Sequence, residues 1–140
     1  MKTHTTNYYN TLIEVAEDCP ADKGTIPPMK SDEPTIANLQ FEILINHPYK
    51  FTSDDVIFQV YAFKNDIAES DMELRRQEFY SKGQACFRTS PLTKRYGWGI
   101  HADEFGRIAL VGCETEEYHK MASDPAMEHT RAMKSKRESK

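Results

Sequence analysis

The side chains that could do chemistry gather between Ser90 and Cys113, in SPLTKRYGWGIHADEFGRIALVGC. Lys94-Arg95 precede Tyr96-Gly97-Trp98. An ammonium and a guanidinium beside glycine backbone can hold a phosphate or carboxylate, with an aromatic ring stacked on the ligand. Adjacent cations are also ordinary solvated surface, and a basic pair near glycine is not a phosphate loop by itself. His101 and Asp103 are two apart and share a strand face, where the carboxylate can orient the imidazole for general acid–base work. The bland alternative is a histidine hydrogen-bonded near a turn. Cys113 falls on the same face, but four residues beyond the partner of His101. At about 3.4 Å per residue that is too far for a direct thiol–imidazole bond. The candidate binding residues are therefore Lys94, Arg95, His101 and Arg107, and the candidate catalytic residues His101 and Asp103.

A hairpin must position these groups. Asp103-Glu104-Phe105-Gly106 has an acidic starter and a glycine where positive φ is wanted, the pattern of a type I turn closed by a glycine bulge. With Asp103 facing Arg107, Ile100 faces Leu110, Trp98 faces Gly112 and Gly97 faces Cys113. Alternation then puts Tyr96, Trp98, Ile100, Ala102, Ile108 and Leu110 on one bulky apolar face, read as core. The other face carries Gly97, Gly99, His101, Ala109, Val111 and Cys113. Glycine in a strand marks close approach of another group, either a packed helix or a ligand.

The remaining elements follow from periodicity and caps. Residues 8–16 alternate as a first strand. Residues 17–34 form a long loop punctuated by Pro20, Gly24, Pro27, Pro28 and Pro34, expected to pack as a surface strap through Ile26 and Met29. Thr35 caps a helix with Ile36, Leu39, Ile43 and Leu44 on one stripe, ending before Pro48, with a strand alternating at Leu39, Phe41, Ile43 and Ile45 as the rival. Asp55–Phe63 is dense in β-branched and aromatic residues and reads as a central strand, with a helix capped by Ser53-Asp54-Asp55 as the alternative. Ser70-Asp71-Met72-Glu73 reads as a capping box starting a helix that stops at Gly83. Residues 85–89 are a short strand candidate. Thr115 caps a helix over 116–122, and Asp124-Pro125 starts a last helix ending in a basic, frayed tail at 131–140. The sum is a single α+β domain over residues 1–140, with a mainly antiparallel sheet of about four to five strands and several short helices.

Composition narrows the class. With 39% hydrophobic and 29% charged residues, the chain fits a soluble globular protein. No apolar run approaches the ~18 residues of a membrane span, and no secretory signal stands at the start. Three cysteines at wide spacing argue against a disulfide framework, so the cytoplasm is the expected compartment. Lys and Arg number 7 against 14 Asp and Glu in residues 1–81, but 11 against 8 in 82–140. That asymmetry permits an anionic partner on the C-terminal half, while the net charge of −4 is a poor basis for non-specific nucleic-acid binding. The five histidines show no metal-ligand spacing, and no Walker, GxGxxG or GxSxG pattern calls for a cofactor.

A family resemblance spans nearly the whole chain. It is carried by Thr5-Thr6-Asn7-Tyr8-Tyr9-Asn10-Thr11-Leu12-Ile13-Glu14-Val15-Ala16-Glu17-Asp18-Cys19-Pro20 and by Pro48-Tyr49 with Thr52-Ser53-Asp54-Asp55. It continues through Ser90-Pro91-Leu92, Lys94–His101, Gly106–Leu110, Glu117-Tyr118 and Ala132–Arg137. On these residues the chain resembles a family of short bacterial proteins classed as a domain of unknown function. The resemblance implies no activity, cofactor or catalytic residue.

Three functions stay open. The first is a small binding module whose basic face around Lys94 and Arg95 recognises an anionic small molecule or an acidic protein segment. The second is a small enzyme using His101 as acid or base with Asp103 as its orienter. The third is an interaction subunit docking through its basic C-terminal helix.

Overall fold

Asp103 and Gly106 set the hairpin on which the sheet is built. The Asp103 amide donates to the Arg107 carbonyl at 2.9 Å, the Gly106 amide donates back to the Asp103 carbonyl at 3.1 Å, and Gly106 takes a φ of 81°. Strands β2 (Trp98–Ala102) and β3 (Ile108–Gly112) then pair in the expected register, with Ile100 opposite Leu110 and Trp98 opposite Gly112. The structure, a computed structural model, describes residues 3–135. Strand β1 (Thr11–Glu14) pairs antiparallel with β2, and β4 (Glu128–Arg131) adds in parallel on the far side of β1. The sheet order is β3-β2-β1-β4, so the fold is α+β with a mixed, mostly antiparallel sheet.

One face of this sheet holds the main core. Ile13, Ile100, Ala102 and Ile108 pack against Ala37 and Leu44 of α1 (Ile36–Asn46), Val56 of α2 (Ser53–Lys64) and Leu92 of α4 (Pro91–Lys94). Thr35 caps α1 as expected, in a reciprocal pair with Asn38. The other face is covered by α5 (Glu116–Ala122), capped by Thr115. A side chain at Gly99 would sit 2.7 Å from the Tyr118 ring, so the glycine face of β2 is the seat of a packed helix. Tyr118 is tied down there by the Val15 amide, which donates to its hydroxyl at 3.0 Å.

Several expectations are corrected. Residues 55–63 are helical, within α2, and Thr52 with Asp55 forms the capping box. The strand-like alternation has a physical source, because α2 is buried on two sides. Val56 and Val60 make one i,i+4 stripe, while Phe58 and Ala62 make another on the opposite side. The second stripe joins Ile67 and Tyr80 in a satellite cluster beneath α3 (Met72–Phe79). Helix α3 is entered through a 3-10 turn at Glu69–Asp71 with no side-chain cap, and it stops at Phe79 rather than at Gly83. Residues 87–89 form a 3-10 turn instead of a strand. Among the described residues no helix follows Asp124: its carboxylate accepts from the Ala126 amide at 2.8 Å, closing a turn that feeds β4 onto the open edge of β1. Of the basic tail expected at 131–140, Arg131 ends β4 and pairs with Glu14 at 3.8 Å, Lys134 pairs with Glu17 at 3.4 Å, and Lys136, Arg137 and Lys140 lie outside the described residues.

The strap over 17–34 carries no helix or strand, and its anchor is Trp98. Ile26 and Met29, the expected anchors, are 74% and 60% exposed. The indole lies flat on Gly24, where a side chain would sit 2.8 Å from the ring, and its nitrogen donates to the Thr25 carbonyl at 2.8 Å. Phe41 of α1 packs on the indole from the core side, with ring centroids 5.7 Å apart.

Candidate functional site

The hairpin does not gather its candidate residues into one place. Lys94 ends α4 and Arg95 follows it, exposed, at the strap end of β2. Arg107 stands past the opposite end, its guanidinium over the Phe105 ring. The five residues of β2 between them span roughly 17 Å. His101 lies near the Arg107 end, and its Nδ1 shares a 2.8 Å hydrogen bond with the Tyr49 hydroxyl. The Asp103 carboxylate is engaged elsewhere, accepting the Phe105 and Arg107 amides at 2.9 Å each. Tyr49, not Asp103, is therefore the hydrogen-bonded neighbour that orients the imidazole.

The Tyr49–His101 pair has an unusual setting. Tyr49 adopts a φ of 58°, a left-handed backbone uncommon for a bulky residue. Burial lowers the His101 pKa, outweighing the opposing pull of Asp103 and Glu117. Burial, with the same two carboxylates behind it, raises that of Tyr49. Both groups are neutral near pH 7, a hydrogen-bonded pair rather than an ion pair. Cys113 is no more activated, since burial pushes its thiol up. Among the described residues no cluster of His, Cys, Asp and Glu could hold a metal ion.

Open space lies against α1, α2 and α3. A cavity of about 590 Å³ runs beside α3 past Asp54 and Arg76. Its most buried carboxylate and its guanidinium already serve the fold. Asp54 accepts from the Thr5 hydroxyl and from the amide and hydroxyl of Thr6 at 2.6–2.7 Å, and Arg76 pairs with Asp55 at 2.9 Å.

The second cavity, about 480 Å³, is of ligand-binding size. It lies between α1, α2 and residues 84–91, and helical spacing builds its walls. Ile36 and Gln40 face it from α1, four residues apart, and Ile57, Tyr61 and Lys64 face it from α2. Val60 and Phe79 complete the apolar wall, and Cys86 and Ser90 line the third side. The Ser90 hydroxyl caps α4 by accepting the Leu92 amide at 3.1 Å and donates its proton to Gln40 Oε1 at 2.6 Å. Gln40 is only 6% exposed, yet its amide nitrogen meets no acceptor among the described residues. No fully enclosed side-chain nitrogen or oxygen lacks a partner there, so that nitrogen opens onto the cavity.

A model of the family DUF6157, a family of unknown function, matches residues 3–138. The chain belongs to that family. No curated protein and no solved structure matches it. Family membership brings no assigned site, so the chemistry has to be argued from this chain's own geometry.

Sequence reasoning passed over Gln40, Lys64 and Cys86. One signal was available for Gln40: it falls four residues after Ile36 and four before Leu44, a carboxamide in the middle of an apolar stripe. No comparable signal marked Lys64 or Cys86. No helix among the described residues is long and apolar enough to cross a membrane.

Proposed function

We propose that the protein is a small binding module whose ligand occupies the cavity between α1, α2 and residues 84–91. The observation that supports this is Gln40, a buried carboxamide with its oxygen satisfied by Ser90 and its nitrogen facing an apolar cavity. A donor held toward a cavity with no protein acceptor is free to bond a ligand oxygen without breaking any bond within the fold. Ile57→Trp tests the reading by filling the cavity from its α2 wall. Small molecules that raise the Tm of the wild-type protein are expected to leave this variant unmoved, while its circular dichroism stays native. Undiminished stabilisation of Ile57→Trp would place the ligand elsewhere.

A second reading keeps the basic corner at Lys94 and Arg95 as an anion site. It is supported by one observation, that neither side chain pairs with a carboxylate among the described residues. Lys94→Glu and Arg95→Glu would then abolish a salt-sensitive stabilisation by polyanionic metabolites without lowering the Tm of the free protein. Three free, half-buried cysteines are in keeping with a reducing compartment, and we propose a cytoplasmic location on that ground.

A further inference from the structure

Two of the cavity's polar side chains, Lys64 and Gln40, ask for different partners. Lys64 is the last residue of α2, and its Nζ donates to the Pro34 carbonyl at 3.1 Å, just ahead of α1. That puts an ammonium beside the N-terminal end of an 11-residue helix whose first turn holds no acidic residue. Helix N-termini carry partial positive charge, so two like charges meet at the mouth of the cavity. Lys64 forms no ion pair among the described residues, and it is the one charged side chain among those lining the cavity. An anion at the mouth would satisfy both.

Gln40 lies deeper, in the second turn of α1. The Ser90 hydroxyl accepts the Leu92 amide and donates its proton to Gln40 Oε1, an arrangement that sets the carboxamide with its NH₂ toward the cavity. The fitting there is a donor and takes an acceptor oxygen. Ile57, Val60 and Phe79 line the same cavity and offer only apolar contact.

Resting on the binding reading above, we infer that the ligand is an organic monoanion with an apolar body and an acceptor oxygen one to two helical turns from its charge. At 5.4 Å per turn, that separation is roughly 5–10 Å. Lys64 receives the charge, Gln40 receives the oxygen, and the apolar side chains enclose what joins them.

The test uses four probes on one phenylhexyl body: 6-oxo-6-phenylhexanoate, 6-phenylhexanoate, 6-phenylhexan-1-ol and 6-phenylhexylamine. Binding is followed by calorimetry and by the alkylation rate of Cys86, mapped by mass spectrometry with Cys19 and Cys113 as internal references. The oxo-acid is expected to bind most tightly and to slow alkylation of Cys86 selectively. Removing the ketone is expected to weaken binding about fivefold, the worth of one hydrogen bond. The alcohol and the amine should bind more weakly still. Lys64→Met should erase the preference for acid over alcohol while leaving the alcohol's affinity unchanged. Equal affinity for acid and amine, with Cys86 still protected, would overturn the ligand class and leave the cavity as a binding site. No binding by any probe, with Cys86 alkylated at its free rate throughout, would overturn both.

Discussion

The β2–β3 hairpin and the α1–α2 cavity differ in how conspicuous residues relate to spare bonding capacity. Within the hairpin, past Lys94 and Arg95, which pair with no carboxylate among the described residues, the residues that look chemical hold the fold together. Trp98 clasps the strap through the Thr25 carbonyl, Asp103 staples its own turn, Gly99 seats Tyr118, and His101 bonds to Tyr49. At the cavity the residues are ordinary, a glutamine and a lysine among isoleucine, valine and phenylalanine. There the capacity is unspent, since Gln40 keeps its amide protons and Lys64 keeps its charge without a carboxylate. A rare residue type marks where a fold is fastened as readily as where a ligand binds. Unmet hydrogen bonding in a cavity is the more direct guide to a site.

The largest expected effects fall at the hairpin. Gly97 has a φ of 77°, and a side chain there would run into the Lys23 carbonyl oxygen. Backbone strain and overpacking together put the cost of Gly97→Ala at about 3 kcal/mol, read as a lowered denaturation midpoint. Trp98→Ala should cost about as much and should also speed hydrogen exchange at the Thr25 amide, which Tyr96 holds at 2.8 Å. A loss under ~1 kcal/mol in both would mean that the strap is loosely held, and the hairpin would return as a ligand candidate.

The cavity wall gives the next effect. Ser90→Ala removes the cap of α4 and the bond that orients Gln40, at a cost of roughly 1–2 kcal/mol by chemical denaturation. Freed of Ser90, Gln40 can turn its oxygen into the cavity. The oxo-acid should then lose its advantage over the plain acid, whereas a purely structural bond would leave that ratio untouched.

His101 supplies a pH test of the hairpin as structure. Its ordinary value is 6.5, and burial lowers it in the fold. Between the two values the unfolded chain binds more protons, so stability rises with pH there. The contribution is complete above 6.5 and is lost as pH falls through the folded value. The stability of wild type relative to His101→Gln should therefore shrink as pH goes from 7.5 to 5. A difference that grew on acidification would mean an imidazolium held by Asp103 and Glu117, a charged group that a catalytic or anion-binding reading could use.

What was legible in the sequence was local. The hairpin register followed from Asp103 and Gly106 with strict alternation on both sides, and the caps at Thr35 and Thr115 announced α1 and α5. Helix α2 was misread because burial on two opposite sides makes a 3.6-residue helix alternate like a strand at Val56, Phe58, Val60 and Ala62. Strand β4 was misread because Asp124-Pro125 starts turns and helices alike, and what decides is the open edge of β1, more than a hundred residues away in sequence. The cavity was invisible for the same reason. Its walls come from α1, α2 and residues 84–91, and only their packing shows that Gln40 has an unmet donor.

Lys64→Met carries the smallest effect on stability and separates the two regions most sharply. The side chain is exposed, and its one hydrogen bond, to Pro34, is of the kind that surface substitutions lose within about 0.5 kcal/mol. Against that loss stands the relief of removing a cation from the positive end of α1, worth a few tenths of a kcal/mol in the other direction. The free protein should therefore denature at an unchanged or slightly higher midpoint, and more clearly so at low salt, where the dipole is less screened. A cost above ~1 kcal/mol would make Lys64 a clasp between α2 and the strap, as Trp98 is between β2 and the strap. The cavity would then be fastened like the hairpin, and the charge at its mouth would need no ligand to account for it.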